Sequence, residues 1–490
     1  MDRMKNPLLQ TLLVAGALLA CTEPEAPVTE GSENPVAESS SQVITSGLLA
    51  PGDTRDLILV AVDTLRADRL PFYGADRATG GKVEEKWSMA WLAANGTLWE
   101  NTWSPAGMTL PSFTSLWTGK PPLEHGSIGN FLATDQTTFA MDLAQRGWIG
   151  HAVVANRVLG KNCGLDRGFL THLVRSKQAE KSAPRELLVT TQKDIQERKR
   201  MFVWAHFMAP HQPYEPSAKH LGTFSTADGT QGDKETLVAL HTNPETITEA
   251  VVQNVQALYD EEILTANDYV MEVLRGLEKQ YQDAGRGELL DNAVVVFLSD
   301  HGEELLDRNG YSMHAKSIFS GTTHVPLMIL GKEWMAGQRV EQGIALEDVL
   351  PMVLRGEEPE GEYFFSAYRQ TYYMVRDARW SLVHNPSGNL LGPPEPPKSV
   401  KYAYPVVALY DRSVDPKELV DVSKAHPEVT RRLLDALRAW HDQLQMASED
   451  PEEKMTAEEM ALLEELGYAG SSEHEGESTL TPWHGSQWTP

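Results

Sequence analysis

Asp56-Leu-Ile-Leu-Val-Ala-Val-Asp63-Thr64-Leu65-Arg66-Ala67-Asp68 is the stretch on which the reading of this chain turns. Residues 57–62 form a continuous apolar run of strand length, the pattern of a strand buried on both faces in a parallel sheet. The run ends on a carboxylate. Asp63 at the tip of a buried strand is stripped of water and needs a cation or a helix N-terminus to stay charged. Capping the following helix is the simpler use of such an aspartate. A second apolar run at 293–298 leads into Asp300-His301-Gly302-Glu303-Glu304. Adjacent Asp and His on a strand-to-loop turn can face one ion, because the backbone no longer alternates there. A hard oxygen beside an imidazole nitrogen suits Mn, Zn or Mg better than the all-oxygen cage of Ca.

Working outward, shorter strand candidates lie at 150–155, 200–205 and 325–330, and helical patterns at 139–146 and 251–279. Strands alternating with helices predict an α/β fold, a mainly parallel sheet with helices on both faces. Chemistry is then expected at the carboxyl ends of the strands. After Gly356 the texture changes. Residues 363–383 are aromatic and strand-like, 388–405 are a proline-rich loop, and 427–446 are an amphipathic helix with Leu433, Leu434 and Leu437 as its core stripe. This predicts a smaller C-terminal α+β domain. The expected division is 1–20 leader, 21–54 tether, 55–355 catalytic domain, 356–470 C-terminal subdomain and 471–490 tail.

The chain has 490 residues, 41% hydrophobic and 23% charged, which are globular values. A net charge of −26 argues against nucleic acid as a partner. The acidic run at 449–453 reads as a solvated face. Arg3 and Lys5 precede an apolar run at 8–20 that has signal-peptide length and is too short to span a bilayer. Leu18-Leu19-Ala20-Cys21 resembles a bacterial lipobox, in which the cysteine is lipidated and becomes the new N-terminus; an ordinary cleaved signal is the alternative. Acylated Cys21 would give stable anchoring, and Thr22 after it leans towards the outer membrane. The location so implied is the bacterial cell envelope, at the outer membrane or the periplasmic face. Residues 22–51 are rich in Glu, Ser, Pro, Thr and Gly, as a flexible tether would be. The 2 cysteines, Cys21 and Cys163, form no disulfide framework.

Ser104-Pro-Ala-Gly-Met-Thr109-Leu110-Pro111-Ser112 places hydroxyls just before a proline-started helix. A hydroxyl there meets the helix dipole and an anion-binding N-terminus. Bound to a cation, Thr109 would lose its proton more readily and serve as nucleophile; a plain N-cap role for Thr109 or Ser112 is the alternative.

Taken together, these motifs resemble the sulfatase family of the alkaline-phosphatase superfamily over nearly the whole mature chain. Asp63 matches the family's first metal aspartate, and Thr109 falls on its nucleophile position, with Pro111, Ser112, Thr118 and Gly119 in register. Asp300-His301-Gly302 matches the second metal motif. Pro210-His211-Gln-Pro213-Tyr214 resembles the family's Asp-Pro-His-x-Pro-Tyr segment, which implies His211 at the substrate anion. Ser312-Met-His314 with Val325-Pro326-Leu327 offers His314 as a second anion contact. Leu409-Tyr410-Asp411, Asp415-Pro416 and Leu466-Gly467-Tyr468 resemble its C-terminal signatures.

Departures from the family pattern shape the expected chemistry. The formylglycine motif is absent, because threonine cannot yield that aldehyde and Phe113 stands in place of the arginine. A threonine sulfate has no carbon–oxygen exit, whereas a threonine phosphate can be cleared by water attacking phosphorus. The expected substrate is therefore an anionic ester, free or linked to lipid or glycan, with phosphoester or phosphodiester cleavage or head-group transfer favoured. The alternatives are a sulfatase working without formylglycine and a non-catalytic surface lipoprotein that binds glycans or envelope polymers. The expected cofactor is one divalent ion (Mn, Zn, Mg or Ca, the last by family analogy) on Asp63, Thr109, Asp300 and His301. Ala209 stands where the family often has Asp. His324 stands where arginine commonly precedes Val-Pro, so substrate contact or no role are both open. Lys161 is offered as an anion contact, although its surroundings lack the family's Lys-x-His pattern. Lys316 and His125 are candidates for ligands, with support of the ligands from behind or a place at the surface as the alternatives.

Overall fold

The computed structural model describes residues 46–447 except 131–133, 228, 307, 309–311, 316, 360 and 387–405. Expectations for the leader, Cys21, the tether up to 45, Lys316, the loop at 388–405, the acidic run, the 466–468 signature and the tail lie outside the described residues. The chain divides into Met1–Gln42 and Val43–Pro490, and the described residues all belong to the second unit. The segments on either side of residue 355 share that one unit, without a further division between them.

The main sheet has nine strands, six of them in the first 300 residues. These are β1 (Asp56–Val62), β2 (Thr97–Trp103), β3 (Ile149–Val154), β4 (Thr171–Val174), β5 (Met201–Phe207) and β6 (Ala293–Leu298). A short ribbon comes next, β7 (Glu304–Leu305) with β8 (Ser312–Met313). The sheet is completed by β9 (His324–Leu330), β10 (Gln338–Val340) and β11 (Ile344–Ala345). Its order is β10-β2-β9-β6-β1-β5-β3-β4, with β11 beside β2. All pairings are parallel except those of β9, which runs antiparallel to β2 and β6. Thr97-Leu-Trp-Glu-Asn-Thr-Trp103 mixes polar and apolar residues, so the sequence did not mark β2 as a buried strand.

β1 lies in the middle and every one of its residues is buried. Its side chains alternate between two cores. Ile58, Val60 and Val62 meet Leu187 of helix Ala183–Gln196 and Ile263, Val270 and Leu274 of helix Glu249–Asp283. Leu57, Leu59 and Ala61 meet Phe113 and Leu116 of helix Thr109–Thr118, Leu143 of helix Phe139–Gln145 and Leu350 of helix Val349–Arg355. Each such Val, Ile, Leu or Phe side chain contributes roughly 1.5–3 kcal/mol by leaving water, which is why the strand needs no polar face. The tether boundary is corrected here. Leu48 is buried in the second core, and the amides of Leu48 and Leu49 donate to Val353 O and Leu354 O at 3.0 and 2.7 Å. An apolar pair ending a polar stretch is drawn onto the fold, so the packed chain begins before residue 55.

The run at 363–383 is three strands, β12 (Phe364–Tyr368), β13 (Tyr372–Arg376) and β14 (Trp380–His384), to which β15 (Val407–Asp411) adds a fourth, all antiparallel. Leu433 and Leu437 of helix Pro427–Gln443 cover one face of this sheet. Its other face, through Met374, Val383 and Tyr410, packs on Met108, Ile318 and Phe319 of the larger part. Hydrogen bonds stitch the seam. Ser366 Oγ donates to Ser104 O at 2.7 Å, and Ala367 N to Pro105 O at 2.9 Å. Buried Arg376 donates to Ser366 Oγ at 3.0 Å and to Thr323 Oγ1 at 2.8 Å, and also reaches Ile318 O. Among the described residues, no helix is long and apolar enough to cross a membrane.

Candidate active site

The strand order makes β1 and β6 neighbours, so their carboxyl ends deliver Asp63 and Asp300 side by side. The two tips are laced together. Thr64 N donates to Asp300 Oδ1 at 3.3 Å, and Leu65 N to Ser299 Oγ at 2.9 Å. Thr64 itself has φ 55°, a left-handed conformation that strains a β-branched residue. The Tyr259 hydroxyl, donating to Thr64 O at 2.6 Å, helps hold the turn.

Asp63, Asp300 and His301 bring ligand atoms within 4.8 Å of one another, and all three are buried. His301 Nδ1 donates to Gly302 O at 2.9 Å, which leaves the lone pair on Nε2. That nitrogen lies 3.7 Å from Asp63 Oδ1, 3.5 Å from Asp300 Oδ2 and 3.3 Å from Thr109 Oγ1. Asp63 Oδ1 and Asp300 Oδ2 are buried without a hydrogen-bond partner. Burial pushes the Asp300 carboxyl well up, and the charge of Asp63 pushes it further. Burial also acts to raise Asp63, but the adjoining His206 imidazole and the charges of His211 and His301 outweigh it and hold Asp63 low. Two buried carboxylates with orphaned oxygens converging on one imidazole nitrogen fit a divalent cation, which would let both ionise.

Thr109 opens helix Thr109–Thr118 and is 1% exposed. It is not the cap. Met108 holds that position without a side-chain bond, and Leu110 N donates to Asn130 Oδ1 at 3.0 Å. Ser112 Oγ donates to Ala106 O at 3.0 Å and pairs with Ser104 Oγ at 2.9 Å, tying down the loop before the helix. The Thr109 hydroxyl is left to face His301 Nε2.

His211 and His314 complete the cluster. Their rings meet edge-on at 4.8 Å, and the His314 ring lies 4.6 Å from that of His301. Burial, then the neighbouring His314, lowers His211 to about 4. Burial and His301 push His314 well below the usual range. His314 Nδ1 pairs with Glu303 Oε1 at 2.8 Å, and burial raises that carboxyl to about 7. The His211 loop is held by Lys177, which donates to Pro213 O at 2.6 Å and to Glu262 Oε1 at 3.0 Å and also reaches His211 O. Glu180 Oε2 accepts from Met208 N at 2.7 Å and from Ala209 N at 3.1 Å. Ala209 is buried in the apolar core, so no carboxylate comes from that position.

Two residues here were not anticipated. Asn156 Nδ2 lies 2.9 Å from Asp63 Oδ2 and 3.4 Å from Thr109 Oγ1. His206 Nε2 lies 3.4 Å from Asp63 Oδ2, and neither ring nitrogen has a well-formed hydrogen bond. Both sit at strand ends, where polar residues merit notice. The expected runs stopped at Ala155 and Ala205, one residue short in each case. The structure does not bring Lys161 or His324 into the cluster. Lys161 is exposed, and the titrating group its charge bears on is His172, on edge strand β4. His324 donates to Glu100 O at 2.7 Å and stacks on Trp103. It lines a separate cavity of about 510 Å³ with Arg412 and Lys417. His125 is buried against Ser115 Oγ at 2.9 Å, and burial lowers it to about 3, as suits a neutral packing residue.

Known proteins share both the sequence pattern and the fold. A family model described as Sulfatase matches residues 55–355. Arylsulfatase K of Danio rerio is 27% identical over 226 residues, 40% of this chain and 39% of that protein. Human arylsulfatase K is 23% identical over 220 residues, 38% and 37% respectively. The chain thus spans about two fifths of the length of the curated relatives it matches. Among solved structures, the phosphonate monoester hydrolase of Agrobacterium radiobacter superposes with TM-score 0.58 at 18% identity, covering 79% of this chain and 96% of that one. A protein solved with its substrate D-glucosamine-2-N,6-O-disulfate gives TM-score 0.61 at 17% identity, covering 82% and 100%.

Proposed function

The chain belongs to the sulfatase family, and from that premise we propose that it is a divalent-metal-dependent ester hydrolase with Thr109 as nucleophile. The observation that carries this reading is the placement of Thr109 Oγ1 at 3.3 Å from His301 Nε2, at the edge of the carboxylate cluster. Asp63, Asp300, His301 and Thr109 would hold the ion. When bound, it supplies positive charge that favours the ionised hydroxyl. Thr109 Oγ1 forms a bond to the phosphorus of the ester, the bond to the leaving alcohol breaks, and the departing oxygen takes up a proton. Water, or an acceptor alcohol, then attacks the phosphothreonine and regenerates Thr109. His211 and His314, buried beside the ligands and neutral without substrate, would take up protons as the anionic ester enters and then donate hydrogen bonds to its non-bridging oxygens. Phosphorus is favoured over sulfur because threonine lacks the exit that formylglycine provides.

Turnover of nitrophenyl sulfate, phosphate, phosphodiester and phosphonate esters by wild type and Thr109→Ala tests the proposal. A phosphorus ester should be hydrolysed by the wild type, with a loss of several orders of magnitude in the variant and an unchanged thermal midpoint. Sulfate turnover with Thr109 intact would instead establish a sulfatase working without the aldehyde. An inert, metal-free wild type would favour a glycan- or polymer-binding lipoprotein.

We further propose that Cys21 is acylated and tethers the domain to the bacterial envelope, on the strength of Leu18-Leu19-Ala20-Cys21 and the polar stretch after it. Fractionation of cells carrying Cys21→Ala is the test.

A further inference from the structure

Asn156 succeeds β3 and begins the turn Arg157–Leu159. Its side-chain oxygen accepts from Val158 N at 3.0 Å, which fixes the orientation of the amide. Turned over, the same oxygen would press against the Asp63 carboxylate. The two amide hydrogens therefore point inward, towards Asp63 Oδ2 at 2.9 Å and Thr109 Oγ1 at 3.4 Å. Asn156 is 2% exposed, so water does not compete for either hydrogen. Asp63 is thereby divided. Oδ2 is occupied by Asn156, with His206 Nε2 behind it at 3.4 Å, while Oδ1 has no partner and faces His301 Nε2 at 3.7 Å.

We propose that Asn156 is a positioning residue that restrains Asp63 to a single metal-facing oxygen and steadies the Thr109 oxygen for attack. The inference rests on the hydrolase reading above and extends it to a residue on a different strand. A neutral donor suits both tasks. A lysine there would compete with the cation for Asp63, and a carboxylate would repel both oxygens. An amide supplies two donors without net charge.

The bland account is that Asn156 only caps its turn. Asn156→Ser separates the two, because serine caps as well as asparagine but carries no second donor. The variant is expected to keep the wild-type thermal midpoint without metal. Its kcat should fall about 10²-fold, the usual effect of losing one donor to a reacting oxygen, at nearly constant KM. In protein loaded with cobalt(II), the visible absorption should change, since a released Asp63 Oδ2 is free to join the ion. Should serine lower the thermal midpoint, Asn156→Thr keeps a capping oxygen and fills more of the space without adding charge, and the same two readouts apply. Unchanged kcat and an unchanged cobalt spectrum would overturn the proposal, and so would a rise in KM alone. A wild type that turns over no ester, yet whose cobalt spectrum shifts on Asn156→Ser, would sink the hydrolase reading and leave the placement of Asp63 standing. A protein that takes up no cobalt(II) would remove both.

Discussion

The residues that define the site were legible in proportion to how much pattern surrounded them. Asp63 and Asp300-His301 each end an apolar run, so burial of a charge was visible in the string itself. Asn156 and His206 are single polar residues whose partner Asp63 lies at the end of another strand, and no local spacing announces that. Glu180 is of this kind too. Burial raises its carboxyl from 4.5 to about 7, while its oxygen accepts from Met208 N and Ala209 N just before His211. The unfolded chain releases this proton first, so the folded state binds more protons between these values. Its stabilising contribution is complete below pH 4.5 and is lost as pH rises through about 7. Glu180→Gln keeps the acceptor and removes the titration. Denaturant midpoints at pH 4.5 and 8 should show wild type losing on the order of 3 kcal/mol relative to the variant.

At the level of elements, buried strands and long amphipathic helices were readable, and their ends were not. The pattern at 251–279 belongs to helix Glu249–Asp283, because Thr248 accepts from Val251 N at 3.3 Å and starts it earlier. β2 escaped notice because Glu100 and Asn101, only half-buried, interrupt its apolar run. The turn after β6 is where an element boundary governs function. A Cβ on Gly302 would stand 2.1 Å from Gly321 O, and Gly302 N donates to Thr322 O at 2.7 Å. Helix Ser320–Thr323 thus presses directly on the Asp300-His301 turn, and only hydrogen fits between. Gly302→Ala should force the two apart. Calorimetric metal affinity is expected to fall about 10- to 100-fold, with a loss of about 1–3 kcal/mol in stability from overpacking. Wild-type affinity in the variant would show that the turn tolerates the shift.

For the whole molecule, the mainly parallel sheet with a smaller C-terminal α+β companion was expected and is found, whereas the seam between them was not legible. The seam is made of side chains such as Arg376 and Tyr410, whose partners in sequence are remote. The proposed lipid anchor belongs to this scale as well. Cys21→Ala should move the protein from the membrane fraction to the soluble one and abolish incorporation of a labelled fatty acid; retention in the membrane fraction would point to another tether. The hydrogen bond from Ser366 to Ser104 has a consequence in time. These residues are 262 positions apart. At roughly 5–20 residues per second of synthesis, the loop leading to Thr109 exists for about 13 to 50 seconds before the chain that clasps it has been made. The nascent protein carries Thr109 early and acquires the grip on its loop late, so a chain cut short in between lacks that clasp.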